Sequence, residues 1–149
     1  MNAKEKLADY QRQFGVYAEA NPEVMGAFGA TVTAAMENSG SLDAKTMELL
    51  ILVAAVSRKC EPCIYSHVMN YINAGGTKED LAAGLNAAVL ICGGPGMAYS
   101  ALALDLFDQY VIRLTVYIQH DLASFVTCLE QFFDSRFLDF NRNRTFHFS

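Results

Sequence analysis

Residues 47–76 read MELLILVAAVSRKCEPCIYSHVMNYINAGG, and this stretch decides the fold. From Met47, and from Leu49 to Val56, it is apolar on every side, the pattern of a helix buried all round. Arg58-Lys59 break the run. Pro62 has no backbone N–H and is tolerated only in the first turn of a helix, so it fixes the start of a new helix near Cys60. Ile64, Val68, Tyr71 and Ile72 then recur at steps of three and four, a helical core stripe. Gly75-Gly76 cap its end.

The same grammar extends outward. Leu7, Tyr10, Phe14 and Tyr17 form a helical stripe between Glu5 and Ala18. Pro22 opens a second helix at the position where its missing N–H costs nothing, and Asn38-Ser39-Gly40 end it after Glu37. Ser41-Leu42-Asp43 open the apolar helix already described. Thr77 is the expected cap of a fifth helix over Leu81 to Ile91, and a sixth runs from Met97 to about Tyr110. Gly93-Gly94-Pro95-Gly96 separates these two. It lacks the GxGxxG spacing and the preceding strand of a phosphate cradle, and reads as a tight helix–helix turn. Nothing resembles a sheet.

From Val111 the texture changes. All ten glycines precede this point, and seven of the ten phenylalanines follow Leu122. The organisation expected is a helical domain over 1–110 and a C-terminal extension over 111–149. In the extension Asp121 to Phe137 suits one more amphipathic helix, and Asn141 to Ser149 reads as an irregular tail. The whole is an all-α bundle of about six to seven helices by periodicity.

At 149 residues the chain can bury a real core, and 52% of it is hydrophobic. So greasy a small domain is expected to bury surface against copies of itself, as a homo-oligomer. A net charge of −5 argues against a nucleic-acid partner, which needs a basic face. Met1 to Tyr10 has no apolar core of a secretory signal, and the expected location is cytoplasmic. Leu81 to Leu104 carries no charge and imitates a membrane span, but the GGPG break, Asn86 and Ser100 interrupt it. A buried pair of helices is the better reading, with no membrane partner.

The chemistry lies in Cys60-Glu61-Pro62-Cys63, with His67 four residues on and Glu48 twelve residues before. On one helix Cys60, Cys63 and His67 fall on one face, and Cys63 and His67 are i and i+4. Both cysteines sit in the first turn, where unpaired N–H groups and the helix dipole favour a thiolate. The thiolate attacks a peroxide or a disulfide, a sulfenic acid condenses with the second thiol, and an external dithiol restores the pair. Glu48 lies inside an apolar helix, where a carboxylate is costly without partners. The economical reading is that it orients His67 or takes its proton. This chemistry calls for no cofactor and no metal.

Blander readings stand beside this one. Cys60, Cys63 and His67 could bind zinc if Cys92 or Glu48 completed the set, but no second CxxC or HxxxH exists. Such a chain would be a non-enzymatic, zinc-stabilised helical module. Cys92 and Cys128 lie in apolar surroundings and read as packing residues. His120 and His147 have no evident partners. Met25, Met36, Met47 and Met97 read as core filler.

The pattern Glu48-x11-Cys60-x2-Cys63-x3-His67, followed by an apolar helix, Ala-Gly-Gly and a new helix, resembles the carboxymuconolactone decarboxylase family. Within it the resemblance is to the AhpD-like alkylhydroperoxidase branch, over about residues 20 to 110. The resemblance implies a helical fold built around a helical hairpin, assembled as trimers or hexamers. It implies an antioxidant, peroxiredoxin-like CxxC peroxidase or disulfide reductase in which Glu48 and His67 relay protons. It makes Cys63 the cysteine attacked by peroxide and Cys60 the resolving one, whereas the helix dipole alone favours Cys60, nearer the helix end. The best-known AhpD proteins carry a histidine where this chain has Pro62, which removes any relay through that position. The chain is of single-domain size, which favours a hexamer. Lactone decarboxylation, the activity that names the family, is the competing function. The enzymes that perform it lack the CxxC pair.

Overall fold

The structure, a computed structural model, describes residues 2–142, with side chains described through Ile112 and at Thr115. It is all helical, with no strand among the described residues. The helices are α1 (Ala3–Ala20), α2 (Pro22–Glu37), α3 (Ala44–Ser57), α4 (Glu61–Asn73) and α5 (Lys78–Arg142).

Their ends follow from local chemistry. Asn2 and Glu5 form a reciprocal capping box at the start of α1, each side chain accepting from the other's backbone N–H. Pro22 sits at the first turn of α2. Asp43 caps α3 by accepting from Thr46 N–H at 2.8 Å. Thr77 Oγ1 caps α5 by accepting from Asp80 N–H at 3.1 Å. At the end of α4, Gly75 takes φ +81° and lets Gly76 N–H reach back to Tyr71 C=O at 2.8 Å. The next position must also be glycine, because a Cβ on Gly76 would lie 2.2 Å from the Tyr71 ring.

The α3–α4 hairpin is the centre of the packing. Leu52 and Val56 from α3 meet Ile64, Val68 and Tyr71 from α4 in a core that α5 completes with Leu81, Leu85, Ala88, Ala103, Leu106 and Phe107. Burying side chains of this size stabilises by about 1.5–3 kcal/mol each relative to exposure. Helix α1 packs on α4, and α2 packs on α1.

Helix α5 is not straight. Gly93 takes φ 59°, ψ −135°, a conformation open only to glycine, and α5 doubles back there. Lys78 forms an ion pair with Asp108, thirty residues along, which a straight helix would hold about 45 Å away at 1.5 Å per residue. Pro95 falls in the first turn of the second arm, where its missing N–H is harmless. Gly96 lies against the first arm, and a Cβ there would stand 2.5 Å from Ala88 O. The GGPG segment is therefore the helix–helix turn that its sequence suggests.

The described residues form five continuous helical segments, the last divided into two arms at Gly93, against the six to seven helices expected. Only Gly93 leaves helical geometry between the two arms, so no loop separates them. The helical backbone also continues through Asp121 to Phe137 as far as Arg142. Asn141 and Arg142 are thus helical rather than part of an irregular tail, and residues 143–149 lie outside the described residues. The chain divides into two compact units, Met1–Val111 and Ile112–Ser149. The side chains of His120, Cys128 and His147 lie outside those described.

Two burial expectations, for α3 and for the methionines, need correction. α3 is not buried all round, since Leu50 is 51% exposed. The neighbours of α3 within the chain cover the faces of Leu52 and Val56 and leave the face of Leu50 and Ala54 open. The α1 stripe is half-buried at Leu7 and Tyr10 and exposed at Phe14 and Tyr17. Met97 is exposed at the bend of α5, while Met25, Met36 and Met47 are half-buried. One helical stretch, Lys78–Ile112, is long and apolar enough to cross a membrane by length and composition. The break at Gly93 divides it, and both arms contribute to the protein's own core.

Gly96→Ala is expected to destabilise the domain by about 1–3 kcal/mol, the usual cost of overpacking, because the clash is with backbone. Thermal denaturation checks this; an unchanged melting temperature would show that the arms can separate freely.

Candidate active site

Helix α3 is capped by Arg58 and followed by Lys59, which takes the left-handed φ of 56° that glycine usually supplies. Cys60 N–H then bonds back to Ala55 C=O at 3.0 Å and Lys59 N–H to Val56 C=O at 3.0 Å. This tight exit places Cys60 as the N-cap of α4, its carbonyl accepting from Ile64 N–H at 3.0 Å. Pro62 lies in the first turn, as the sequence suggests.

Cys60 and Cys63 are joined by a disulfide across a Cα–Cα distance of 5.3 Å. Both residues are half-buried. His67 lies one turn past Cys63 on the same face of α4. Its Nδ1–H donates to Glu48 Oε2 at 2.6 Å, the direction set by a carboxylate that can only accept. Glu48 is 7% exposed and reaches this contact from α3. The hairpin thus brings together all four sequence-predicted residues as two bonded pairs, Cys60 with Cys63 and Glu48 with His67. Donating through Nδ1 leaves Nε2 of His67 as the nitrogen free to take a proton.

Other contacts were not visible in the sequence. Asn70 Nδ2 donates to the second oxygen of Glu48 at 3.3 Å. Its spacing of three from His67 was the available signal, since such residues share a helix face. Tyr10 of α1 donates its hydroxyl to Glu61 Oε2 at 2.9 Å. Its ring meets Tyr65 edge-on at 5.6 Å, with the Lys6 ammonium 4.9 Å over it. Tyr110 donates to Tyr65 C=O at 3.2 Å. Reading Tyr10 only as part of an apolar stripe hid its polar end.

Burial, with the Glu61 carboxylate beside it, pushes the Tyr10 phenol up to about 12. Burial pushes Tyr110 up to about 12 as well, with Tyr65 adding to the effect. Cys92 is half-buried and in no disulfide. Among the described residues no group of three or more His, Cys, Asp or Glu side chains is disposed to hold a metal ion.

The class defined by these features is an all-helical domain with a CxxC disulfide at the start of one helix, whose His67 is bonded to Glu48 of the preceding helix. Residues 22–106 match the Carboxymuconolactone decarboxylase family, and the chain belongs to it. An uncharacterised protein of Cupriavidus necator is 36% identical over 105 residues, spanning 70% of this chain and 92% of its own length. One from Haemophilus influenzae is 39% identical over 64 residues, 43% of this chain and 56% of its own. The apo crystal structure of a carboxymuconolactone decarboxylase family protein from Legionella pneumophila superposes with a TM-score of 0.68 at 32% identity. That match covers 72% of this chain and 96% of the other.

The two raised phenols set an alkaline limit on stability. A tyrosine whose folded value exceeds its unfolded value of about 10 stabilises fully below that value and loses the contribution as pH rises through about 12. Melting temperature should therefore fall between pH 10 and 12, and less steeply in Tyr10→Phe. An identical fall in that variant would contradict the assignment to Tyr10.

Proposed function

We propose that the chain is a thiol-dependent peroxidase or disulfide oxidoreductase of the AhpD-like kind. The observation that carries this reading is the Cys60–Cys63 disulfide on the same helix face as a His67 held by Glu48. In the reduced form His67 Nε2 takes the proton of the Cys63 thiol. The Cys63 thiolate attacks the terminal peroxide oxygen, the O–O bond breaks, and the alkoxide takes a proton from His67 to leave as an alcohol. Cys63 is then a sulfenic acid. Cys60 attacks its sulfur, hydroxide leaves as water with a proton from the site, and the disulfide forms. An external dithiol reduces it by exchange through a mixed disulfide, and is itself oxidised to a disulfide. The assignment of Cys63 as the attacked residue rests on the family resemblance and on its i, i+4 relation to His67.

The reading includes assembly as a homo-oligomer, a hexamer in preference to a trimer. α2 buries none of its residues, and Val24 and Phe28 are 55% and 61% exposed. Covering such a face by another copy stabilises at roughly 25 cal/mol per Å². Sedimentation at micromolar concentration is expected to give the oligomer, and a monomer alone would contradict it.

Cysteine variants test the chemistry. Cys60→Ser is expected to stop at a sulfenic acid on Cys63, and Cys63→Ser to abolish peroxide-dependent oxidation. A sulfenic acid on Cys60 in Cys63→Ser would exchange the two roles. Glu48→Gln keeps shape but loses the charge, and is expected to slow thiol oxidation about a hundredfold with folding intact. Equal rates would make Glu48 structural only. Turnover of a muconolactone by the double cysteine variant would favour lactone decarboxylation instead.

A further inference from the structure

Glu48 is held from two sides, and both donors come from one helix. His67 Nδ1–H donates to Oε2 at 2.6 Å, and Asn70 Nδ2 donates to Oε1 at 3.3 Å. The donors are i and i+3 on α4, so they lie about one turn apart on the face turned toward α3. Glu48 has 7% of its surface exposed, whereas Asn70 stands at the rim and is open to solvent. Asn70 has no need of Glu48, since water could satisfy its amide. The buried carboxylate does need a donor for its second oxygen.

We infer that Asn70 is a positioning residue, which clamps the Glu48 carboxylate so that its other oxygen stays in line with the His67 Nδ1 proton. A carboxylate held at one oxygen can swing about its terminal torsion, which is a broad, roughly two-fold well. With both oxygens engaged the group is fixed, and so is the tautomer of the imidazole bonded to it. Asn70 touches neither sulfur by this account. It acts through Glu48, and through Glu48 on the ring that takes the thiol proton. The inference rests on the thiol-redox reading for the purpose of the clamp but not for its existence, and the two can fail separately.

The test is nitrogen-edited NMR of the His67 ring in the oxidised full-length protein, without substrate, alongside thiol oxidation by an alkyl hydroperoxide in the reduced protein. In the parent the ring is expected in the Nδ1–H tautomer with a slowly exchanging proton. Asn70→Ala should speed that exchange about tenfold and slow thiol oxidation by a similar factor, the size of one hydrogen bond to a charged group. Asn70→Gln keeps the amide donor at the open rim and should restore most of both. Asn70→Leu, similar in shape but with neither donor nor charge, should behave as Asn70→Ala and serves if the alanine variant folds poorly. Unchanged exchange and tautomer in Asn70→Ala, with Glu48→Gln altering both, would overturn the inference. The expected NMR changes in a protein whose thiols ignore peroxide would uphold the clamp and defeat the redox reading.

Discussion

A carboxylate inside an apolar helix is tolerable only if donors meet it, and Glu48 is met by His67 at 2.6 Å. That contact ties α3 to α4 at one register. A shift of one residue along α3 would turn Glu48, and one along α4 would turn His67, by about 100°, and either would part the carboxylate from this donor. Uncompensated, such a group costs several kcal/mol, more than most single core contacts supply. The hairpin, its tight exit at Lys59 and the placement of Cys60 as N-cap all serve this register. The disulfide then lies one turn before the histidine, on the same helix. The local chemistry and the fold are satisfied by one arrangement.

The parts of this arrangement that were legible in the sequence were those with a steric or electrostatic reason at a single position. Pro62 permits only a helix start. Thr77 before Lys78-Glu79-Asp80 is a cap. Glu48 is conspicuous because it is the only charge between Thr46 and Arg58. What escaped were contacts whose residues have an adequate bland explanation. Asn70 on a helix reads as a solvated polar residue, because its partner is a buried group on another helix. Tyr10 satisfies an apolar stripe with its ring, and nothing in the stripe announces that its hydroxyl will reach Glu61 fifty-one residues away. GGPG is legible as a turn between two helices, and a single glycine conformation at Gly93 suffices to make that turn with no intervening loop.

Burial was the least legible quantity, for a physical reason. Periodicity reports that a face is apolar, and leaves open whether the same chain covers it. α3 is apolar on all sides, yet Leu50 is half exposed. The second half of α1 and the whole of α2 show the same mismatch between composition and coverage, with Phe14, Phe28 and Val32 open. These faces belong to the same unit as the disulfide, Met1–Val111. The Cys60–Cys63 disulfide and the Glu48–His67 pair involve none of them, since all four residues come from the α3–α4 hairpin.

The central claim is that Cys60 and Cys63 form a reversible redox pair. Free thiols counted in the fully reduced protein before and after stoichiometric alkyl hydroperoxide test it most directly, with the modified residues located by mass spectrometry. The account predicts loss of both thiols of this pair, a Cys60–Cys63 disulfide in their place, and full recovery with an external dithiol. Survival of these two thiols, or a loss confined to Cys92 and Cys128, would contradict it.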